Sequence, residues 1–328
     1  MRARIRFLAA TALAAAAVTL PATARAADPA YPSGPVTIVL PFPTGGITDN
    51  IARLLAGELS TAWKQTVVVE NRPGASGMIG AGVVARAPKD GHTALFTITT
   101  HVQLPSLHTK MPYDSVKDFA PVSLIALSQT VLAVGQGVPV DSVKGLVDKL
   151  KTEPGRHPYG SYGTGTTGHI YGELFRRQAG VEMPHVPYKG GAPLVADLLG
   201  GHVGIAFVDV GTSMQHLKSG RLKPLGIIGT KRSDIFPTVP TFQELGYKGF
   251  EPYGWMGLFL PAGTPNDRVE KLSAEVDRIL KRPDIVKKLH ELNLQPMGGT
   301  PAQFAENLRR DGPIWKEVIE LGGVKLDQ

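Results

Sequence analysis

From Val36 onward the chain alternates short apolar runs with segments whose apolar residues recur at helical spacing, and this alternation leaves few folds open. Val36–Leu40 reads as a strand, 51–59 as a helix and 66–70 as a strand again, the pattern of a parallel sheet covered by helices. Within 51–59, Ile51, Leu54, Leu55 and Leu59 share one face, and Thr48 or Asp49 stands where a cap is expected.

The same reading gives a helix over 78–86, a turn at 88–91, and strands over 94–98 and 122–127. At Thr130 the alternation restarts. Strands are expected over 130–134, 158–162, 203–208 and 225–228, with helices over 143–150, 170–178, 193–199 and 212–218. The prolines of 237–240 break the regularity. After them come a strand over 254–260 and helices over 266–280, 284–292 and 301–321, which need a surface to cover and are expected to pack back on the first sheet. Chain crossings are therefore expected near Ser128 and Gly229, with one lobe of 27–128 and 229–328 and a second of 129–228.

The N-terminus bears on compartment. Arg2, Arg4 and Arg6 precede an apolar run over 7–20, followed by Ala24-Arg25-Ala26. A positive start, a short apolar stretch and a small-x-small site together predict a secretory signal peptide, 1–26, cleaved after Ala26. A membrane-spanning helix needs about 20 apolar residues. The segment holds four of the 35 basic residues and none of the 28 acidic ones, so its removal lowers the net charge from +7 to +3. No basic block remains, which argues against nucleic acid as a partner. With no cysteine in the chain, disulfides, thiolate metal sites and thiol nucleophiles are excluded.

Two glycine-rich segments sit between a strand and a helix, where open α/β sheets bind ligands. The first is Pro41-Phe42-Pro43-Thr44-Gly45-Gly46-Ile47-Thr48-Asp49. Its glycines let a ligand approach the backbone, and the free N–H groups of a helix start suit an anion. The second, over 159–169, adds the hydroxyls of Ser161, Thr164, Thr166 and Thr167, which fits a carboxylate held without arginine. Its Gly163, Gly165 and Gly168 formally match G-x-G-x-x-G, but no acidic residue follows at the spacing a dinucleotide fold requires. Gly74-Ala75-Ser76-Gly77-Met78 departs from the nucleophile-elbow pattern, and the nine histidines include no H-E-x-x-H pair. His169 reads as a packed or helix-start residue. Asp209, at the end of a strand, is either a ligand acceptor or the cap of the next helix.

Together these segments resemble the Bug family, the TctC-like substrate-binding proteins of tripartite tricarboxylate transporters. The resemblance rests on the 41–49 run, Glu70-Asn71-Arg72-Pro73-Gly74-Ala75, Pro112-Tyr113-Asp114, and Asp118-Phe119-Ala120-Pro121-Val122. It continues through His185-Val186-Pro187-Tyr188-Lys189-Gly190-Gly191, Leu198-Leu199-Gly200-Gly201, Pro237-x-Val239-Pro240-Thr241 and Pro261-Ala262-Gly263-Thr264-Pro265. It implies an α/β, two-lobe type II periplasmic-binding-protein fold with a hinge between the lobes, and a binding protein rather than an enzyme. By position it implies a carboxylate gripped by Phe42, Thr44, Gly45, Gly46, Thr48 and Asp49 on one side and Ser161, Gly163, Thr164, Gly165, Thr166 and Thr167 on the other. It also implies Thr99, Thr100 and Asp209 as further wall residues. The expected partners are a small carboxylate-bearing ligand and the membrane subunits of a tripartite tricarboxylate-type transporter, for a monomer in the periplasm with no cofactor or metal. The rival readings are a ligand-binding sensor subunit and a secreted hydrolase.

Overall fold

The computed structural model describes residues 31–326, so the expected signal peptide lies outside the described residues. The first part of the chain runs β1 (Val36–Leu40), α1 (Ile47–Trp63), β2 (Val67–Asn71), α2 (Met78–Ala85), β3 (Thr93–Ile98), α3 (Thr100–Leu107) and β4 (Phe119–Ser128). The middle runs β5 (Thr130–Val134), α4 (Val143–Thr152), β6 (Tyr159–Ser161), α5 (Thr167–Ala179), β7 (His185–Pro187), α6 (Gly191–Gly200), β8 (Ile205–Asp209), α7 (Val210–Lys218) and β9 (Lys223–Ile227). The end runs β10 (Gly254–Pro261), α8 (Asn266–Leu280), α9 (Pro283–Glu291), β11 (Leu294–Gly298) and α10 (Pro301–Gly322).

These strands form two sheets, ordered β11-β4-β10-β3-β1-β2 and β7-β6-β8-β5-β9, the two-lobe α/β architecture. Both are mixed, which corrects the expectation of parallel sheets. β1 pairs in parallel with β2 and β3, and β6 with β7 and β8. β10, however, runs antiparallel to β3 and β4, and β5 antiparallel to β8 and β9. The reason is connectivity: β4 leaves the first sheet and, after the single residue Gln129, continues as β5 of the second, whereas β10 brings the chain back beside it. Ser128 and Gly254 are register partners where the two strands pass.

The return comes later than Gly229. Ile227 bridges to Thr241, and Phe242 and Phe250, both fully buried, pack on Phe207 and Tyr171 in the core of the second sheet. Each such ring contributes roughly 1.5–3 kcal/mol of burial, enough to hold 239–250 there until β10 begins. The far half of α10 goes the same way: Trp315, Val318 and Ile319 join that core. The first sheet buries Ile38, Leu40, Ile51, Leu55 and Leu59 with Val276 and Ile279 of α8 on one face. On its other face Val39 and Leu95 pack against Val84, Phe259 and Phe304.

Three elements escape the sequence pattern. β7 and β11 are short edge strands containing Pro187 and Pro296, where a missing N–H is tolerated. α3 carries Pro105 and has no clear apolar stripe. α1 begins at Ile47 with Gly46 as its N-cap, so neither Thr48 nor Asp49 caps it. Among the described residues no helix is long and apolar enough to cross a membrane.

Candidate functional site

A cavity lies between the two sheets, and five helices begin at its wall. Gly46, Ile47 and Thr48 bring the start of α1; Thr99 that of α3; Thr167 that of α5; Gly190 to Pro193 that of α6; Asp209 and Thr212 that of α7. A helix start leaves N–H groups unpaired and carries the positive end of the helix dipole. Away from the cavity, Ser142 and Thr300 satisfy such groups on α4 and α10 with their side chains, while α8 and α9 carry no side-chain cap. At the cavity only α7 is treated so, by Asp209. The N-caps of α1, α3, α5 and α6 accept no hydrogen bond through a side chain.

Crossing strands supply the floor, with Ile98, Ser128, Gly254, Trp255 and Met256. Thr99 fixes it, accepting from Trp255 N at 2.7 Å. A second chamber, walled by Pro41, Pro73, Ser76, Gly163, Thr164, Thr166 and Tyr188, shares Phe42, Pro43, Tyr162, Lys189 and Gly190 with the first. The two are parts of one cleft. Three residue pairs bridge it: Ile47 N donates to Thr212 Oγ1 at 3.3 Å, Gln103 Nε2 to Thr167 Oγ1 at 3.0 Å with Thr167 Oγ1 3.4 Å from Gln103 Oε1, and Ser76 Oγ to Thr164 O at 2.5 Å.

The sequence-derived residues divide into two groups. Phe42, Thr44, Gly46, Thr48, Thr99, Thr167 and Asp209 line the inner chamber, and Gly163, Thr164 and Thr166 the outer one. Gly45, Asp49, Thr100, Ser161 and Gly165 line neither. Asp49 is buried and turned into the protein, where Arg53 Nε, Asn71 Nδ2 and Gly45 N donate to its carboxylate at 3.1, 3.0 and 3.1 Å. Burial pushes its carboxyl up, but these donors outweigh burial and hold it below the usual range. Ser161 and Thr166 spend their hydroxyl protons on Gly163 O, at 3.1 and 2.6 Å, and so shape the loop. Thr100 Oγ1 is buried without a partner.

Asp209 is the α7 cap. Its Oδ1 accepts from Thr212 N at 2.7 Å and its Oδ2 from Thr212 Oγ1 at 2.9 Å. Burial raises its carboxyl above the ordinary range, against the pull of the Thr212 donors. It is the one carboxylate on the inner wall among the described residues, and Lys189 the one cation.

Lys189, Gly190 and Gly191 are the chief residues that sequence reasoning left out of the site. Gly190 has φ 108°, a conformation that favours glycine, and Gly190 N donates to Tyr162 O at 3.1 Å. The signal was present: Tyr188-Lys189-Gly190-Gly191 precedes a helix as 41–49 does, and the same anion argument applies to both. Tyr162 lines both chambers, with its hydroxyl pushed up by burial and by the charge of Asp209.

The chain matches the model of the "Tripartite tricarboxylate transporter family receptor" over residues 51–323. Protein BugT of Bordetella pertussis is 34% identical over 90% of this chain and 91% of its own length. Among solved structures, an R. palustris protein with adipate superposes with a TM-score of 0.86 at 35% identity, covering 90% of this chain and 99% of that one. MatC from Rhodopseudomonas palustris with bound malate gives 0.83 at 30% identity, covering 88% and 100%.

Proposed function

Because the chain belongs to the tripartite tricarboxylate transporter receptor family, whose members are periplasmic solute-binding proteins and not enzymes, we propose that it captures a small carboxylate in the cleft. It then delivers that ligand to the membrane subunits of a tripartite tricarboxylate-type transporter. One observation carries the reading: four helix starts whose N-caps carry no side-chain hydrogen bond face a single cavity, α1 giving its first amide to Thr212, with Lys189 at the rim. Hydrogen bonds to a charged group are worth about 1.5–3 kcal/mol each, so a few converging N–H donors replace a buried arginine. The malate and adipate held by related proteins support the ligand class.

In this reading 31–128 and the chain from β10 into the first half of α10 form one lobe, and the chain between, joined by the far half of α10, forms the other. The grip on the ligand comes from Phe42, Thr44, Gly46, Thr48, Thr99, Thr167 and the Lys189–Gly191 turn. Thermal-shift measurement of the purified protein with mono-, di- and tricarboxylates, aromatic acids and acidic amino acids tests the proposal. A ligand that binds only the folded state raises the melting temperature. Stabilisation by one carboxylate class at sub-millimolar concentration is the expected result; indifference to the whole panel contradicts it.

A further inference from the structure

The loop between β6 and α5 is braced from behind by two histidines. Gly165 N donates to His169 Nδ1 at 3.1 Å. The His169 ring stacks on His185, with centroids 4.0 Å apart and planes 19° apart. His185 Nε2 lies 2.7 Å from Ser161 Oγ, and that hydroxyl accepts from Gly163 N at 3.3 Å. Tyr159 stacks on His185 in turn, at 4.9 Å. The two glycine amides of the turn are thus both tied, directly or through Ser161, to the imidazole pair. Gly163 and Gly165 have φ of 148° and 72°, and a loop of such residues has little intrinsic preference for one shape. Something must fix where its N–H groups point.

We infer that His169 and His185 are positioning residues for ligand binding: a stacked pair of neutral imidazoles that holds the 163–167 loop in the shape presented to the cleft. The inference rests on the proposed carboxylate site. Since Gly165 N–H donates to Nδ1, that atom carries a lone pair and the ring proton sits on Nε2. An imidazolium would set N–H against N–H and release the loop. The groups facing the pair are Tyr159 from β6, whose hydroxyl reaches His169 O at 3.4 Å, and Glu173 from α5, which is paired with Arg176 and with Tyr159. Glu173 favours protonation of His169, but burial outweighs it and keeps that ring below its ordinary value; burial and His169 together take His185 down to about 3.

The test compares His169→Asn, whose Oδ1 can accept the Gly165 N–H, with His169→Leu, which cannot. Amide hydrogen exchange of Gly165 in the ligand-free protein, nitrogen shifts of the imidazoles, and calorimetric titration with malate and adipate are the readouts. Exchange at Gly165 should be about tenfold faster in His169→Leu and near wild type in His169→Asn. The dissociation constant for the bound probe should follow the same order. In wild-type protein at neutral pH, His169 Nδ1 should show the shift of an unprotonated nitrogen, a readout that stands even where His169→Leu does not fold. A protonated Nδ1, or unchanged Gly165 exchange in His169→Leu, overturns the inference. Failure of wild-type protein to bind any carboxylate overturns the proposed function instead, and the exchange and nitrogen readouts still decide the loop's anchoring.

Discussion

Thr212 links the two sheets over the cavity: its hydroxyl accepts from Ile47 N at 3.3 Å and donates to Asp209 Oδ2 at 2.9 Å. The first amide of α1 is thereby satisfied by a residue at the start of α7. The contact can exist only while the sheets are drawn together, as can those of Gln103 with Thr167 and of Ser76 with Thr164.

Thr212→Val keeps the shape and removes both the acceptor for Ile47 N and the donor to Asp209 Oδ2. The first bond contributes about 0.5–1.5 kcal/mol and the one to the carboxylate about 1.5–3 kcal/mol, so urea unfolding of the ligand-free variant should show a loss of about 2–4.5 kcal/mol. Small-angle scattering should report a larger radius of gyration without ligand and the wild-type value with it. Unchanged scattering argues against a role for Thr212 in closure.

Gly46 offers a clean probe of ligand approach to the backbone. A Cβ built there meets nothing nearer than Thr48 Oγ1 at 4.0 Å, and its φ of −84° suits any residue. Gly46→Leu should therefore fold with wild-type unfolding midpoint while its side chain enters the cavity. Affinity should fall at least about 100-fold, some 2.8 kcal/mol. Wild-type affinity would place the ligand elsewhere.

Lys189 is exposed and stands at the junction of the two chambers. Its charge acts through solvent, so the expected contribution is modest, about 0.5–1.5 kcal/mol or roughly 2- to 12-fold in affinity. Lys189→Met should weaken carboxylate binding by that factor and flatten its dependence on salt, both measurable by calorimetry between low and moderate ionic strength.

Asp209 sets the pH dependence. Burial already raises its carboxyl, and an anion bound beside it disfavours the charged form further. Between the free and the bound value, both above the ordinary carboxylate range, the complex holds more protons than the free protein. Binding should then take up protons in that window. Calorimetry in buffers of different ionisation enthalpy, repeated over a series from neutral to acid pH, should detect the uptake. Asp209→Asn should abolish it.

How much of this was legible in the sequence differs by level. The strand and helix alternation placed β1, α1, β3, β5, α5 and α8, because apolar period and glycine or proline stops act locally. Antiparallel β10 was not legible, since which strand lies beside β4 is decided by where the chain re-enters the sheet. The same holds for Trp255 and Gly254 on the cavity floor. Within the loops, residue type marked the segments but not the direction of each side chain. Asp49 looked like a cleft residue until Arg53 and Asn71 were seen to claim it, and Ser161 and Thr166 looked like ligand donors until Gly163 O took their protons. Lys189–Gly191 escapes the sequence pattern because proline at a first turn marks a helix start at Pro193, whereas α6 begins at Gly191.

Backbone donors at helix starts that bind a carboxylate as an anion must distinguish it from an uncharged isostere. Calorimetric titration of wild-type protein with the most stabilising carboxylate of the screen, beside its methyl ester, measures that distinction. One site per chain is expected for the acid, with a loss of at least about 100-fold for the ester, the equivalent of one to two charge-assisted hydrogen bonds. Equal affinity for acid and ester would contradict binding as an anion.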